Sequence, residues 1–348
     1  MKYIIESSCK SHPGRVRSNN EDNYYYNFKN LKEDNNGSDL KTFNFKNTDH
    51  IINAVFDGMG GETNGEKASF LASQFLKEYI NNNSNSEFSW EEYIEESNKK
   101  VLSETPKGTI MGTTVAAIFF SDDKISICNL GDSRIYGYKN GNLKQISKDH
   151  TTEEMNKKLG IDIPLRLTQH LGISEKEIKL KPYTNNISYT EFDKIIICSD
   201  GLTDMLTDNE IEEIIKGNNS QINVNNLVDK ALEKGGKDNI TVMVFEIKKD
   251  KKKRKTFLTI SLLSFILFVI LIYIYLNQFR IIKDEYTSSI TVGESYELKF
   301  NKGEINISNN NIKYEDGIIT AEKEGITIIT IKDKKGKILY EKQIKIFP

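Results

Sequence analysis

Four aspartates stand beside or close to a glycine where an apolar, strand-like run meets a turn. They are Asp57, Asp132, Asp200 and Asp238. A carboxylate at a strand end, with backbone carbonyls nearby, presents only oxygen ligands, which suit hard cations such as Mg²⁺ or Mn²⁺ better than zinc. A single Asp-Gly pair more often forms a plain turn, so a metal site requires that the four aspartates lie close together in the fold.

Several ionised carboxylates at one point would repel one another unless cations offset the repulsion. Two divalent ions about 4 Å apart could share Asp57 and lower the pKa of a bridging water. The resulting hydroxide would attack phosphorus, and no protein nucleophile would be required. The pattern therefore favours metal-assisted hydrolysis of a phosphate.

A polar corner near the start of the chain adds arginine and more acid. It reads Gly14-Arg15-Val16-Arg17-Ser18-Asn19-Asn20-Glu21-Asp22. Arg17 could clamp an oxyanion, because a guanidinium presents a rigid fork that matches phosphate oxygens. Taken alone, the corner favours a surface ion pair among its two arginines and two acids.

His150 lies between predicted strands and a helix predicted to begin near Thr152. A cap or a core hydrogen bond is the commoner role for such a histidine, and catalysis is the alternative. We expect the structural role.

Apolar runs and helical periodicities predict the elements that position these residues. Ile51 to Phe56 is predicted to be a buried strand that delivers Asp57, and Lys194 to Cys198 repeats this design before Asp200. Helices are predicted near 68–79, 89–103, 208–215 and 224–232, and strands near 3–8, 24–28, 113–120, 124–130, 133–138, 143–146 and 240–247. Leu31 to Thr48, rich in Asn, Asp, Lys and Gly, is predicted to be a solvated hairpin loop.

Length and charge bound the broad class of protein. The chain has 348 residues, with 48 Lys and Arg against 50 Asp and Glu, which suggests about two domains and no nucleic-acid partner. Cys9, Cys128 and Cys198 lack paired metal-ligand spacing, so we expect buried free thiols in a reducing compartment. Residues 1–10 show no secretory signal pattern, and the N-terminal part is expected to stay where it is made.

One apolar run is long enough to cross a membrane. Residues 256–276 carry no charge, and a helix of this length covers roughly the 30 Å of bilayer hydrocarbon. A buried core helix is the alternative. The basic segment 248–255 precedes the run, whereas only Arg280 and Lys283 follow it closely, so the positive-inside tendency places the N-terminal part in the cytoplasm. We expect the basic segment to act as a topology signal, with recognition of anionic lipid as the alternative.

Six motifs in register resemble the type 2C, metal-dependent serine/threonine protein phosphatases, and in particular the bacterial members. They are Arg17-Ser18-Asn19-Asn20-Glu21-Asp22, Asp57-Gly58-Met59-Gly60-Gly61, Gly112-Thr113-Thr114, Gly131-Asp132-Ser133-Arg134, Ser199-Asp200-Gly201-Leu202-Thr203-Asp204 and Gly236-Lys237-Asp238-Asn239. Each motif is weak alone, and their shared order carries the resemblance. It covers about residues 1–247, which we take as the catalytic domain.

The resemblance implies an α+β fold, a four-layer αββα sandwich in which helix pairs flank two antiparallel sheets and the metals lie at one edge between them. It implies that Asp57 bridges two Mn²⁺ or Mg²⁺ ions and that the Gly58 carbonyl binds the first. Asp200 and Asp238 would bind the second ion.

By the same comparison, Glu21 and Asp22 would hold metal waters, and Asp132 would contribute to a third, weaker metal site. Arg17 would grip the substrate phosphate. The implied reaction is hydrolysis of phosphoserine or phosphothreonine in proteins by in-line attack of a metal hydroxide, in opposition to a serine/threonine kinase.

Met59 is a departure from part of the family. Some members, chiefly eukaryotic, have a histidine here that is proposed as a general acid, whereas the bacterial branch shares the methionine. The leaving group would then be protonated by water or another group.

Residues 281–348 show short alternating runs separated by glycine turns, which predict a small all-β sandwich outside the membrane. Gly317 to Thr330 resembles part of a bacterial immunoglobulin-like group 2 domain. A passive anchor or spacer is the preferred role for this tail. An envelope adhesin or ligand sensor is the alternative for the tail, and a catalytically silent phosphoprotein scaffold is the alternative for the N-terminal domain.

Overall fold

The computed structural model describes residues 2–60, 64–83, 88–161, 163–164, 166–174, 176, 178–250, 264–274, 281–284 and 288–348. The chain divides into two compact units, Met1–Asp250 and Lys251–Pro348. Each unit is described by itself below.

Two β-sheets form the centre of the first unit. Sheet 1 has the strand order β10-β9-β12-β13-β1-β4, and sheet 2 has the order β11-β8-β7-β5-β2-β3 with β6 paired to β5. The strands of sheet 1 are β1 (Tyr3–His12), β4 (Ser38–Lys46), β9 (Arg134–Lys139), β10 (Asn142–Gln145), β12 (Lys194–Cys198) and β13 (Ile240–Lys249). The strands of sheet 2 are β2 (Asp22–Tyr26), β3 (Lys29–Asn30), β5 (Ile51–Met59), β6 (Gly112–Thr113), β7 (Val115–Phe120), β8 (Ile125–Leu130) and β11 (Tyr183–Ile187). Neighbouring strands in both sheets are antiparallel.

Helices cover the outer face of each sheet. The α-helices of this unit are α1 (Gly65–Asn82), α2 (Trp90–Glu104), α3 (Glu153–Leu159), α4 (Asp200–Thr203), α5 (Asp208–Ile215) and α6 (Ser220–Glu233). The apolar stripes of α1 and α2 pack on sheet 2, and those of α5 and α6 pack on sheet 1. A third apolar cluster, which includes Val55, Ile118, Ile197 and Phe245, fills the space between the sheets. The predicted αββα sandwich is thus the fold of this unit.

Local sequence accounts for the ends of the helices. The Ser89 hydroxyl accepts a hydrogen bond from the Glu92 amide and caps α2. Thr207 and Glu210 form a reciprocal capping box at the start of α5.

The prediction of a loop over Leu31 to Thr48 is wrong. This segment contains β4, which pairs with β1 and forms the outermost strand of sheet 1. Phe45 is buried while most of its neighbours in β4 are exposed, because an edge strand needs few apolar residues. β11, which ends sheet 2, was not predicted either.

The part of the second unit that follows the helical residues 264–274 is all β among its described residues, as predicted. Its two four-stranded sheets have the orders β14-β16-β19-β18 and β15-β21-β20-β17. Their strands are β14 (Ile281–Asp284), β15 (Ser289–Thr291), β16 (Ser295–Phe300), β17 (Glu304–Ile307), β18 (Ile312–Glu315), β19 (Ile318–Ala321), β20 (Gly325–Lys332) and β21 (Ile338–Phe347). Leu298, Ile319, Ile329 and Ile344 are fully buried members of the core that both sheets share.

The predicted membrane span, 256–276, lies outside the described residues except for 264–274, which are helical. In the described parts of the chain, no helix has the length and apolar character that a membrane crossing requires. The basic segment 248–255 begins inside β13, which continues to Lys249, and residues 251–255 lie outside the described ranges.

Candidate active site

Asp57 lies near the end of β5, directly opposite Asp22 on β2. Two backbone hydrogen bonds fix its position, because the Asp57 amide donates to the Thr114 hydroxyl (3.1 Å) and its carbonyl accepts from the Thr114 amide (2.9 Å). Part of the residue remains accessible to solvent. Burial first, and then the negative charges of Asp200 and Asp22, raise the pKa of the Asp57 carboxyl well above its usual range.

Asp22 is fully buried. Its Oδ2 accepts hydrogen bonds from the hydroxyls of Ser199 (2.7 Å) and Thr241 (2.6 Å). Its Oδ1 has no hydrogen-bond partner among the described residues. Burial raises the pKa of Asp22 to about 7, although both hydroxyls act in the opposite direction. A buried oxygen of this kind needs a further partner, such as a water held by a cation.

Asp200 and Asp132 approach the same point from two other strand ends. Asp200 is the first residue of α4 and is separated from the end of β12 by Ser199, and Asp132 follows β8. Burial and then the charge of Asp132 raise the pKa of Asp200 to about 8, and burial raises that of Asp132 to about 6. The four carboxylates of Asp22, Asp57, Asp132 and Asp200 therefore lie close enough to repel one another.

Arg17 and Asp238 form an ion pair at the edge of this acidic group, with 2.6 Å between Nη2 and Oδ2. The Arg17 side chain is about half exposed. Asn239 holds the arginine loop in place, since its Nδ2 donates to the carbonyls of Pro13 and Asn19 (both 2.9 Å). Among the described residues, Arg17 thus pairs with Asp238, which lies outside the N-terminal corner, and not with Glu21 or Asp22 as the sequence suggested.

Gly58 and Glu21 lie in close backbone contact beside Asp57. The Gly58 amide donates to the Glu21 carbonyl (3.2 Å), and a Cβ at Gly58 would stand only 2.1 Å from the Gly65 carbonyl oxygen. Only glycine therefore fits at this strand end. The Glu21 side chain packs against Gly65, and burial followed by the charge of Glu66 raises its pKa.

The donor set fits hard divalent cations. It consists of carboxylate and carbonyl oxygens, and one buried carboxylate oxygen lacks a partner among the described residues. Burial first, and then the charges of neighbouring acids, raise the pKa values of Asp57 and Asp200, and bound cations would relieve that repulsion. No three acidic, histidine or cysteine side chains of the described residues already stand at metal-ligand spacing. The assignment of Asp57, Gly58, Asp200 and Asp238 as metal ligands stays a prediction.

Ser199, Thr241, Thr114 and Asn239 are supporting residues that the sequence reasoning did not single out. Thr114, Ser199 and Asn239 lie inside the motifs quoted above. A hydroxyl or amide side chain does not by itself indicate a role at an active site. Thr241 stands in β13, more than two hundred residues from the Asp22 it contacts. Asp22 lies in sheet 2 and Thr241 in sheet 1, so the packing of the two sheets against each other brings them together.

His150 makes structural hydrogen bonds, as expected. Its Nδ1 accepts from the Gly131 amide (3.1 Å), and its carbonyl accepts from the Thr168 amide (2.8 Å). Burial lowers its pKa, and the imidazole also bonds to the backbone of Lys181. His150 thus links the turn that carries Asp132 to the segment 168–181.

Sequence comparisons place the chain among known phosphatases. Residues 29–234 match the family model for Protein phosphatase 2C. Serine/threonine phosphatase stp of Listeria welshimeri is 31% identical over 271 residues, which cover 70% of this chain and 96% of the relative. Serine/threonine protein phosphatase PstP of Mycobacterium tuberculosis is 26% identical over 257 residues, which cover 70% of this chain and 45% of the relative.

Solved structures agree with the sequence matches. The catalytic domain of PstP, in complex with two manganese ions, is similar with a TM-score of 0.54 and 26% identity, covering 71% of this chain and all of that one. A bacterial serine phosphatase is similar with a TM-score of 0.57 and 25% identity, covering 70% of this chain and 98% of that one. Because the family model spans more than half of the chain and the Listeria relative aligns over nearly its whole length, the chain belongs to the protein phosphatase 2C family and is a serine/threonine protein phosphatase.

Proposed function

We propose that this chain removes phosphate from phosphoserine and phosphothreonine in proteins with the help of two Mn²⁺ or Mg²⁺ ions and a third, weaker one. The observation that carries the proposal is the crowding of buried carboxylates around Asp57, where burial and then the neighbouring charges raise the pKa values of Asp57 and Asp200. The two manganese ions of the similar PstP structure support the choice of metal.

Asp57 would be shared by two ions, with the Gly58 carbonyl on the first and Asp200 and Asp238 on the second. Bound divalent ions would supply a hydroxide nucleophile at neutral pH by lowering the pKa of water. Glu21 and Asp22 would orient water, and the paired hydroxyls on Asp22 Oδ2 leave Oδ1 available for this task. Asp132 would serve the third site.

Arg17 would bind two oxygens of the substrate phosphate and hold phosphorus in line for attack. Its half-exposed position and its attachment through Asn239 suit this role. With Met59 at the end of β5, we propose that water or another group protonates the leaving serine or threonine oxygen.

Release of phosphate from a phosphothreonine peptide tests the enzymatic mechanism. We expect hydrolysis that requires Mn²⁺, that stops with a chelator and that is lost in Asp57→Ala, while Asp122→Asn, at an exposed turn, keeps wild-type rates. Equal rates with and without chelator would rule out this mechanism.

We also propose that the enzyme is a single-pass membrane protein with its catalytic unit at the cytoplasmic face and residues 281–348 outside the cell. The described part of the apolar run supports this, since the ten side chains from Phe265 to Ile274 are all apolar or aromatic and all exposed. Membrane lipid would then contact this run, and a serine/threonine kinase at the same face would be the opposing partner.

For the second unit we propose an anchor or spacer of the bacterial immunoglobulin-like type, with binding of an envelope ligand as the alternative. Its two packed four-stranded sheets support the sandwich architecture. Deletion of residues 281–348 separates the two roles. If it changes neither membrane location nor intracellular phosphorylation, the ligand-sensing role loses its support.

A further inference from the structure

A large groove opens between the outermost strands of the two sheets of the catalytic unit. Its volume is about 1040 Å³, and its walls come from the end of β1, from β2 with the β2–β3 turn, and from β4. Charged and aromatic lining residues include Lys10, Lys29, Lys41, His12, Tyr24 and Asp39. Nothing in the proposed phosphate chemistry uses this groove.

The charge of the groove is predominantly positive. Three lysines line it, against Asp39 as the one acid among the described lining residues. Lys10 is partly neutralised, because it lies 3.7 Å from Asp229 on α6. Lys29 and Lys41 are exposed and have no ion-pair partner in the described parts of the chain. Two lysines on facing edge strands are therefore available to an outside anion.

The groove adjoins the loop that carries the phosphate-binding arginine. Ser11, His12 and Pro13 line it, and the chain then runs through Arg15 to Arg17. Arg15 is exposed, and its amide donates to the Gly236 carbonyl (2.7 Å), which fixes the backbone between groove and active site. Four residues span at most about 14 Å, so the near end of the groove lies within about four extended residues of Arg17.

We propose that the groove binds an acidic, extended segment of the phosphoprotein substrate, starting about four residues from the phosphorylated serine or threonine. This inference rests on the proposed function, because it names the kind of phosphoprotein that the active site would prefer. Carboxylates of the segment would pair with Lys29 and Lys41 while Arg17 holds the phosphate. A recessed groove suits a single extended chain, whereas a membrane surface would need a flat or convex basic face.

The test compares two phosphothreonine peptides on the full-length protein with Mn²⁺. One peptide carries glutamates from the fourth to the eighth position on both sides of phosphothreonine, and the other carries glutamine there. We expect kcat/KM to be about three- to tenfold higher for the acidic peptide, mainly through KM. Lys29→Glu/Lys41→Glu should abolish or invert this preference and leave hydrolysis of the glutamine peptide and of a small aryl phosphate unchanged.

Lys124→Glu/Lys144→Glu is the matched control, because both lysines are exposed, lie outside the groove lining and give the same change in net charge. It should keep the preference for the acidic peptide. Equal kcat/KM for the two peptides, or a preference that persists in the groove variant, would overturn the proposal. Loss of the preference in the control variant as well would assign it to net charge and would also overturn it. Failure to hydrolyse either peptide would instead count against the proposed function.

Discussion

Arg17 pairs with a carboxylate in the structure and is expected to hold a phosphate in the reaction. Its partner Asp238 is also a predicted metal ligand, so the guanidinium lies where the substrate phosphate and the second metal ion would meet. The positively charged guanidinium attracts the phosphate, but it neither donates a proton nor coordinates the metal. Its loss should therefore affect substrate binding and the transition state rather than the metal content.

We expect Arg17→Ala to lower kcat/KM for a phosphothreonine peptide by about a hundredfold, because phosphate charge in the transition state loses a bidentate partner. Arg17→Lys should recover only part of this loss, since an ammonium cannot form the fork. Steady-state kinetics and the bound manganese, measured on the same samples, check the prediction. A fall in bound Mn²⁺ that parallels the fall in activity would assign Arg17 a structural role instead.

The buried acids predict an unusual pH dependence for the metal-free protein. The folded-state pKa values of Asp22 and Asp200 are raised from 3.8 to about 7 and about 8. The folded form therefore binds more protons than the unfolded form between these limits, so these two groups lower the free energy of unfolding as pH rises. Below about pH 4 the two carboxyls are protonated in the folded and the unfolded protein, so they no longer make the free energy of unfolding depend on pH.

Denaturant unfolding in the presence of chelator, at several values between about pH 5 and about pH 8, measures this slope. We expect stability to decline with rising pH more steeply in the wild type than in Asp200→Asn, and excess Mn²⁺ to flatten the decline. A wild-type slope equal to that of Asp200→Asn would show that the carboxyl does not titrate as described.

At the scale of elements, strand pairing aligns Asp22 with Asp57 in sheet 2, the packing of sheet 1 on sheet 2 adds Asp200 and Asp238, and a few hydrogen bonds hold the turns. Thr114 on the β6–β7 connection binds the Asp57 backbone and also pairs with the Ser133 hydroxyl (2.7 Å). Gly131 packs on Thr114 so closely that a Cβ would lie 2.6 Å from its methyl group. His150 accepts hydrogen bonds from the Gly131 amide and from the Thr168 amide, and so joins Gly131 to the segment 168–181. The turns that carry Asp57 and Asp132 are thus connected through the contacts of Thr114 with Ser133 and Gly131.

We expect His150→Ala to weaken the third metal site selectively, because the turn that carries Asp132 loses its support. The Mn²⁺ concentration for half-maximal activity should rise several-fold while two tightly bound ions remain. His170→Ala is the matched control, since His170 bonds only to the backbone of Leu171 in the described structure and lies against Gly112. An equal rise in both variants would contradict the specific role of His150.

The local sequence was sufficient to predict the core strands and the turns that carry the acidic residues. The apolar run Ile51 to Phe56 and the glycines after Asp57 mark a buried strand end without any knowledge of the fold. The meeting of Asp57 with Asp22 depends on pairing between β2 and β5, which is not local, and the family resemblance supplied it. β4 was missed because its polar composition hides the alternation of an edge strand, and the groove beside it was missed for the same reason.

At the scale of the whole molecule, the catalytic unit has its own complete core and the second unit has another. Separate cores allow the catalytic unit to act in the cytoplasm while residues 281–348 lie outside, provided that the apolar run 256–276 crosses the membrane. This arrangement would place the active site of the catalytic unit near membrane-bound phosphoproteins.

Truncation after Asp250 tests the arrangement. We expect residues 1–250 to fold, to keep kcat/KM for a phosphothreonine peptide within about twofold, and to move from the membrane fraction to the soluble fraction of the cell. Immunoblotting of the two fractions for the full chain and the truncated chain measures this. A full-length chain found in the soluble fraction would contradict the membrane proposal and leave the enzymatic one intact.

The number of tightly bound Mn²⁺ ions per chain tests the central claim most directly. Equilibrium dialysis followed by metal analysis of wild type and Asp57→Asn, with Asp122→Asn as control, gives this number. We predict two tightly bound ions per chain for wild type and control, and the loss of both in Asp57→Asn, because one carboxylate is shared between them. Wild-type protein without tightly bound Mn²⁺, or Asp57→Asn with an unchanged number, would contradict the account.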